Sequence, residues 1–376
     1  MTVGRKRVLF LIPSLTAGGA ERVLLVLLRH LDRSRFELHL GLLQAKGEFI
    51  GDIPEDVVVH NLKVSRVRYA LPSIIKLVWD VKPQSILSTL AHLNLALILG
   101  RPLLPRQARL LIREAANTKT SFLQETQHPQ AWMWLCRHLY KRADRIVCLS
   151  DSMLNDLVEH FGLSREKMVR IYNPVDTEKV RELAEIGGSP YHGPGPHLVA
   201  AGRLSKEKGF DLLLNAMPAV LVRSPNAQLA ILGDGPLRTD LTDQAERLGL
   251  NGAVHFLGFQ PNPWPYFKYA DLFVLPSRHE GFPNAMLEAL TLGVPVVAAD
   301  CSGGIREIAD SDPQIFLVPT EDVNSLAQSV ISVCAGTKGL HRQAEESKDL
   351  LARFDLQRVL AEYSSLLSDE RGPITC

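Results

Sequence analysis

The sequence has few cysteines, and none of them is spaced as a disulfide or metal motif requires. The five are scattered and odd in number, and no Cys-x-x-Cys pair occurs among Cys136, Cys148, Cys301, Cys334 and Cys376. This pattern fits neither a disulfide framework nor a zinc site, and it favours a reducing compartment.

An excess of either charge is also missing. The chain has 42 Lys and Arg against 41 Asp and Glu, which gives a net charge of +1. A protein dedicated to nucleic acid needs a surplus of clustered basic residues, so that class is disfavoured. A basic patch on one domain is still compatible with the total.

No stretch is long and apolar enough to predict a membrane-spanning helix. The longest charge-free stretch, 84–100, is interrupted by polar residues and falls short of the ~20 apolar residues that a span needs. The run Val8–Ile12 follows three basic residues as in a signal peptide, but it meets Pro13 and no cleavage site follows. We therefore interpret it as a first β-strand and predict a cytoplasmic protein.

Apolar, β-branched runs alternate with stretches of helical periodicity along the whole chain. The predicted strands are Val8–Ile12, Leu38–Leu43, Ser85–Ser88, Arg109–Ile112, Asp144–Leu149, His197–Ala201, Ala227–Leu232, Val254–Leu257, Leu272–Leu275 and Pro295–Ala299. The predicted helices include Ala20–Leu31, Met153–His160, Asp211–Val222 and Leu237–Leu248. Consecutive apolar residues in short strands indicate parallel sheets covered on both faces, and the alternation predicts a doubly wound α/β fold.

A Gly- and Pro-rich segment, 187–196, divides the pattern into two series of strands and helices. We predict an N-terminal Rossmann-like domain over residues 1–178 and a C-terminal one over residues 179–355. A final helix within residues 356–376 is expected to pack back toward the N-terminal domain.

Two loops between a strand and a helix have the composition of a phosphate site. Gly18 and Gly19 allow close approach of a ligand to the backbone ahead of the first helix, although a plain turn between a strand and a helix explains them equally well. Arg203 and Lys208 follow a later strand and would meet a diphosphate together with a helix N-terminus. The alternative there is a solvated charged turn.

The strongest motif surrounds two glutamates separated by seven residues, Glu280 and Glu288. Pro283 predicts a helix start, so Glu280 lies in the loop ahead of that helix and Glu288 in its second turn. Carboxylates accept hydrogen bonds from hydroxyl groups, whereas the amides between them suit a phosphate.

These residues resemble the signature of glycosyltransferase family 4, a group of retaining enzymes, and the resemblance covers almost the whole chain. Further matches are Gly18–Arg22, Asn173–Asp176, Arg203 with Lys208, Gly233–Pro236 and Gly293–Val297. The resemblance implies the GT-B fold, in which two Rossmann-like domains with doubly wound parallel sheets face a cleft.

The resemblance also implies the roles of the individual residues. The N-terminal domain would take the acceptor and the C-terminal domain a nucleoside-diphosphate sugar. Glu288 would hold the ribose and Glu280 the transferred sugar, while Arg203 and Lys208 would neutralise the diphosphate in place of a metal. The remaining donor contacts are expected from Gly18, Gly19, Gly281, Phe282, Pro283 and Asn284.

One position departs from the family pattern. Many relatives carry a histidine after the strand that ends at Ile112, where this chain has Arg113 and Glu114. His92 matches a family histidine on the preceding unit, and it is either a catalytic residue or a structural imidazole. Asp310-Ser311-Asp312 imitates a metal motif, but no strand leads into it, so we interpret it as a solvated turn.

The resemblance predicts transfer of a hexose or N-acetylhexosamine, from a UDP-linked donor, to a lipid-linked or glycan acceptor. Aromatic and basic residues in the segment from Phe122 to Arg145 suit contact with an anionic membrane at its inner face, or ordinary packing of Trp132 and Trp134. No metal or other cofactor is expected. A sugar-nucleotide epimerase and an inactive nucleotide-sugar-binding protein are the alternatives, and Glu280 with Glu288 favours transfer.

Overall fold

The computed structural model describes residues 4–16, 18–115, 128–336 and 348–369. The chain divides into two compact units. Unit 1 comprises the chain up to Pro174 together with the chain from Gln357 onward, and unit 2 comprises Val175–Leu356.

Unit 1 contains a seven-stranded parallel sheet in the order β3-β2-β1-β4-β5-β6-β7. Its strands are β1 Lys6–Ile12, β2 Phe36–Leu42, β3 Val58–Asn61, β4 Ser85–Thr89, β5 Arg109–Arg113, β6 Arg145–Cys148 and β7 Met168–Arg170. Its helices are α1 Gly19–His30, α2 Leu71–Val81, α3 Ala91–Gly100, α4 Pro129–Leu139 and α5 Asp151–Phe161. Residues Val8–Ile12 of β1 have no exposed surface, as expected of a strand covered on both faces.

Unit 2 contains a six-stranded parallel sheet in the order β10-β9-β8-β11-β12-β13. Its strands are β8 His197–Ala201, β9 Gln228–Leu232, β10 Val254–Gly258, β11 Leu272–Leu275, β12 Val296–Ala299 and β13 Ile315–Val318. Its helices are α6 Thr177–Ala184, α7 Phe210–Arg223, α8 Arg238–Arg247, α9 Trp264–Lys268, α10 Asn284–Thr291, α11 Ile305–Ala309, α12 Val323–Gly336 and α13 Lys348–Ala352. The predicted α/β class with two doubly wound parallel sheets is confirmed.

The last described helix, α14 Leu356–Ser368, ends against the sheet of unit 1. Its final carbonyls accept hydrogen bonds from side chains at the starts of three strands: Lys6 bonds to Ser368, Ser85 to Leu367 at 3.0 Å and Arg109 to Leu366 at 2.8 Å. Two of these donors are cationic, which also suits the negative end of the helix dipole.

Each sheet has a point where the strand order reverses, between β1 and β4 in unit 1 and between β8 and β11 in unit 2. In open α/β sheets, ligands bind outside the carboxyl ends of the strands at such a point. The loops after β8 and β11 carry Lys208 and Glu280, and those after β1 and β4 lead to Gly18 and His92. The topology therefore brings the candidate residues of each unit to the edge at which sheets of this kind bind ligands.

Candidate active site

Glycines allow the two loops at the reversal point of unit 2 to touch. Gly209 caps α7 with a φ of +64°, and a Cβ added there would lie 2.1 Å from the carbonyl oxygen of Pro276. A Cβ on Gly303 would lie 1.8 Å from the carbonyl oxygen of Glu280. No other residue fits at these two positions, because backbone atoms occupy the space of the side chain.

This close approach places Lys208 beside Glu280. The Lys208 Nζ lies 2.7 and 2.8 Å from the two carboxylate oxygens of Glu280, and the Ser277 hydroxyl donates to the same carboxylate at 2.6 Å. Glu280 is buried, with 6% of its surface exposed, so both donors reach a charge that water scarcely touches. Charge-assisted bonds of this kind fix the position of a side chain strongly.

Glu288 is buried in α10, where the tryptophan that begins α9 binds it. The Trp264 indole Nε1 donates to a carboxylate oxygen of Glu288 at 2.9 Å. The sequence predicts Glu288 in the second turn of a helix that starts near Pro283. The structure places it as the fifth residue of α10, which begins at Asn284.

The segment between the glutamates leads into α10 without a side-chain cap among the described residues. Phe282 and Pro283 are buried, whereas Gly281 and Asn284 are partly exposed. The Phe282 ring packs on that of Phe354 at a centroid distance of 5.7 Å. The buried Phe282 thus fixes the segment in place, while Gly281 and Asn284 remain partly accessible to solvent.

Arg203 is exposed, and no described residue forms a hydrogen bond or ion pair with its guanidinium. The aliphatic part of Lys208 lies against Gly202, 3.4 Å from where a Cβ would be. The loop that carries Arg203 thus contacts the lysine that binds Glu280.

The charged residues around Lys208 hold its loop to the loop of Glu280. Arg278 forms a pair of 2.7 Å bonds to the carboxylate of Asp211 in α7 and also reaches Glu321. The backbone amide of Arg278 donates to the carbonyl of Glu207 at 2.8 Å. Arg278 therefore links the two loops through both its side chain and its backbone amide. Burial lowers the pKa of the neighbouring His279, which favours the neutral imidazole.

Gly18, Gly19 and His92 lie in unit 1. Gly18 precedes α1 in an extended conformation and Gly19 is its first residue. His92 is exposed in the first turn of α3, and its ring meets the Trp132 ring edge-on at 5.7 Å. Leu90, two residues earlier, has a φ of +79°, which is rare for a residue with a side chain.

Arg113 and Glu114 belong to a buried hydrogen-bond network rather than to a surface. The Arg113 guanidinium donates to Asn173 at 2.6 Å, and Glu114 accepts from Asn94 and from Tyr140, both at 2.8 Å. Burial and the nearby Glu114 carboxylate raise the pKa of Tyr140, so it remains a donor. The network accounts for both residues at the position where many relatives have a histidine.

Asp310-Ser311-Asp312 forms a turn after α11, as expected, but the turn is only partly solvated. Asp312 is buried and accepts a hydrogen bond from the backbone amide of Gln314 at 2.8 Å. In the described part of the chain, no three His, Cys, Asp or Glu side chains are grouped as metal ligands. Of the described helices, none has the length and apolar character to cross a bilayer.

Two models of glycosyltransferase domains match the chain over most of its length. "Glycosyltransferase Family 4" matches residues 17–179, and "Glycosyl transferases group 1" matches residues 191–350. The chain belongs to the family 4, group 1 glycosyltransferases. The resemblance drawn from the sequence motifs is thus confirmed, and this protein is a glycosyltransferase.

A curated relative of this glycosyltransferase matches it nearly from end to end. It is the N-acetylgalactosamine-N,N'-diacetylbacillosaminyl-diphospho-undecaprenol 4-alpha-N-acetylgalactosaminyltransferase of Campylobacter jejuni, 29% identical over 93% of this chain and 95% of the relative. The lipopolysaccharide core biosynthesis glycosyltransferase LpsE of Rhizobium meliloti is 29% identical over 61% of this chain and 66% of its own.

Solved structures show that this glycosyltransferase has the GT-B fold. Anabaena Alr3699/HepE in complex with UDP and glucose superposes with a TM-score of 0.77 at 20% identity, covering 97% of this chain and 100% of that one. WaaG, a glycosyltransferase involved in lipopolysaccharide biosynthesis, gives a TM-score of 0.76 at 16% identity with the same coverage.

The motifs did not predict which described residues hold the two glutamates. Ser277 and Trp264 bind them directly, and Gly209 and Gly303 make room for the loops. A sequence signal existed only for Ser277, which lies three residues ahead of Glu280 in the same loop, close enough for the two side chains to meet.

Proposed function

We propose that this glycosyltransferase moves a hexose or N-acetylhexosamine from a UDP-linked donor to a hydroxyl of a lipid-linked or glycan acceptor. The reaction would retain the anomeric configuration, need no metal ion, and serve cell-surface polysaccharide or glycoconjugate synthesis. The observation that carries the proposal is the buried Glu280 carboxylate, held by Lys208 and Ser277 at the reversal point of the unit 2 sheet.

The donor assignment rests on the chemistry of these groups. The Lys208 ammonium suits the charge that develops on a departing diphosphate, and the Arg203 guanidinium adds a second cation on the neighbouring loop. Two buried carboxylates, Glu280 and Glu288, suit the hydroxyls of a sugar and of a ribose. UDP is the nucleotide named in the similar HepE complex, which supports it as the donor nucleotide here.

The acceptor assignment rests on the Campylobacter jejuni relative, whose name specifies a diphospho-undecaprenol-linked acceptor. Its name also specifies an α-linked product, and an enzyme that makes such a product from an α-linked donor retains configuration. A lipid-linked acceptor would bring this enzyme to the inner face of the cytoplasmic membrane. Metal independence is supported by the two cations, which supply the charge that a metal supplies elsewhere.

The test combines donor binding with transfer. Thermal unfolding of the purified protein with a panel of nucleotide sugars identifies the donor, because a ligand of the folded state raises the melting temperature. That donor is then incubated with undecaprenyl-diphosphate-linked saccharides, and mass spectrometry detects the added sugar. Glu280→Gln should bind UDP but transfer little.

Other outcomes separate the alternatives. An epimerised nucleotide sugar without any extended acceptor would indicate an epimerase. Stabilisation by a nucleotide sugar without turnover on any lipid-linked or glycan acceptor would indicate an inactive binding protein. No stabilisation by UDP or any nucleotide sugar would overturn the proposed site.

A further inference from the structure

The outer surface of α2, α3 and the turns at their ends exposes large apolar side chains that do not pack into the core of unit 1. Tyr69, Trp79, Leu99 and Leu103 are 62%, 52%, 49% and 59% exposed. They are four of nine large hydrophobic side chains with this exposure among the described residues. Such a concentration on two neighbouring helices and the turns at their ends indicates an interaction surface.

The helical repeat places these side chains on one surface. Tyr69, Lys76 and Trp79 lie at helical spacing along the turn before α2 and the solvent side of α2, and Leu99 and Leu103 follow that spacing along α3 and its end. The two helices contact each other, and the Trp79 indole donates to the carbonyl of Leu103 at 3.0 Å. We call these five residues the aromatic face.

The solvent side of α3 carries two exposed residues, His92 in the first turn and Leu99 in the last. Leu93, Leu95, Leu97 and Ile98 are buried, yet Leu99 points outward. The described chain leaves Leu99 uncovered, so the C-terminal end of α3 fits a surface that another layer covers from outside.

The chain segment that carries the aromatic face is basic, although Arg101 is paired with Asp144 at 3.3 Å. Residues 63–108 contain one acidic residue, Asp80, and seven basic ones: Lys63, Arg66, Arg68, Lys76, Lys82, Arg101 and Arg106. The whole chain is balanced at 42 basic and 41 acidic residues, so this segment is a strong local departure. Arg68 also lies over the Tyr69 ring at 4.9 Å.

Aromatic and apolar side chains beside basic ones such as Lys76 and Arg68 match the boundary between an anionic lipid headgroup layer and its acyl chains. A protein partner of ordinary composition would have to supply both a matching apolar surface and an unusual excess of acid. We infer that the aromatic face docks this enzyme onto a membrane rich in anionic phospholipid. The inference rests on the proposed function, because an enzyme with a lipid-linked acceptor meets that acceptor at a membrane.

The surface continues onto the next helix, α4, which contacts α3. Trp134 is 62% exposed there, and Arg137 and Lys141 are exposed on the same side. From the sequence, the segment from Phe122 to Arg145 suits either membrane contact or ordinary packing of Trp132 and Trp134, and Phe122 lies outside the described residues. The structure packs Trp132, half-buried, against His92, whereas Trp134 is exposed beside the aromatic face.

Flotation of the purified full chain with vesicles tests the inference. The protein should float with vesicles of phosphatidylcholine mixed with phosphatidylglycerol, and not with phosphatidylcholine alone. Lys76→Gln with Arg106→Gln should weaken binding about 30-fold, because each basic residue near an anionic surface contributes about fivefold. Leu99→Ser with Leu103→Ser should weaken it about tenfold by removing buried apolar area.

Matched variants in unit 2 serve as controls. Arg223→Gln with Arg247→Gln, and Ile186→Ser with Val222→Ser, change exposed residues of the same kinds and should float as the wild type does. UDP binding is measured on every variant, so that loss of the proposed donor site is distinguished from loss of membrane contact. The inference is overturned if the wild-type protein does not float with anionic vesicles. It is also overturned if the variants at Lys76 with Arg106 and at Leu99 with Leu103 float as the wild type does. Self-association through this face without lipid binding would overturn it as well.

Discussion

The pairing of Lys208 with Glu280 leads to an asymmetric prediction for the free energy of unfolding. In Lys208→Met the Glu280 carboxylate keeps Ser277 as its hydrogen-bond donor, yet its side chain is only 5% exposed. Removing one partner of a buried pair costs about 3–5 kcal/mol, and we expect the lower value because Ser277 remains. In Glu280→Gln the Lys208 side chain, 24% exposed, can hydrate its ammonium, so the cost should be about 1 kcal/mol.

The double variant separates the ion pair from packing. In the double variant both charges are gone, so no anion remains buried without its cation. The loss of unfolding free energy should therefore be smaller than the sum of the losses in the two single variants by about 2 kcal/mol. Calorimetry measures this, since about 3 kcal/mol lowers the melting temperature of a unit this size by roughly 10 °C.

Lys206→Met is the matched control for this cycle, because Lys206 is an exposed lysine of the same turn. It should melt within about 1 °C of the wild type. Equal losses in the two single variants, adding without coupling in the double variant, would show that the pair does not hold the site together.

Further predictions concern ligands, backbone and pH. Glu288→Ala should raise the Kd for UDP about 10- to 100-fold in titration calorimetry, as expected when a charged hydrogen-bond acceptor is lost, and an unchanged Kd would remove Glu288 from the donor site. Activity should survive EDTA, and a loss that Mg²⁺ restores would mean that a metal takes part. Gly209→Ala should destabilise the protein by about 2 kcal/mol more than Gly249→Ala, because the φ values are similar, +64° and +69°, but only Gly209 faces a backbone oxygen at 2.1 Å; equal melting temperatures would contradict this. Burial raises the pKa of Glu362, so its ionisation costs stability as pH rises through that raised value. Glu362→Gln should therefore be more stable at neutral pH by less than about 1 kcal/mol, with the gain vanishing below the ordinary pKa of glutamate, and a constant gain at all pH values would refute the cause.

The sequence predicts the interior of both sheets well and their edges poorly. All ten predicted strands are present, with ends shifted by at most two residues. The three that were missed, β3, β7 and β13, are all edge strands. β3 is mostly exposed and β7 has only three residues, so neither has the continuous apolar run that marks a strand covered on both faces. Val58 and Val59 in β3 are each more than 40% exposed, for example. β13 does have an apolar run, Ile315–Val318, so this reason does not apply to it.

The candidate site shows a similar limit. The spacing of Glu280 and Glu288 places them correctly before and within a helix, because that depends on local sequence. The Lys208–Glu280 contact depends on two loops 72 residues apart in the chain, and the Trp264–Glu288 bond on residues from different helices. Such contacts are set by sheet order and by glycines that admit a neighbouring backbone, which no periodicity reveals.

The salt bridge between Lys208 and Glu280 also bears on ligand selection. The acid and the base neutralise each other, so an incoming anion must compete with a carboxylate that is already in place. Inorganic phosphate could satisfy the lysine but would strand the glutamate in a nearly dry environment. A sugar nucleotide brings a diphosphate for one and hydroxyl groups for the other, so exchange of partners costs least for a molecule that carries both. Discrimination against simple anions would then arise from the resting state itself, before any sugar is recognised.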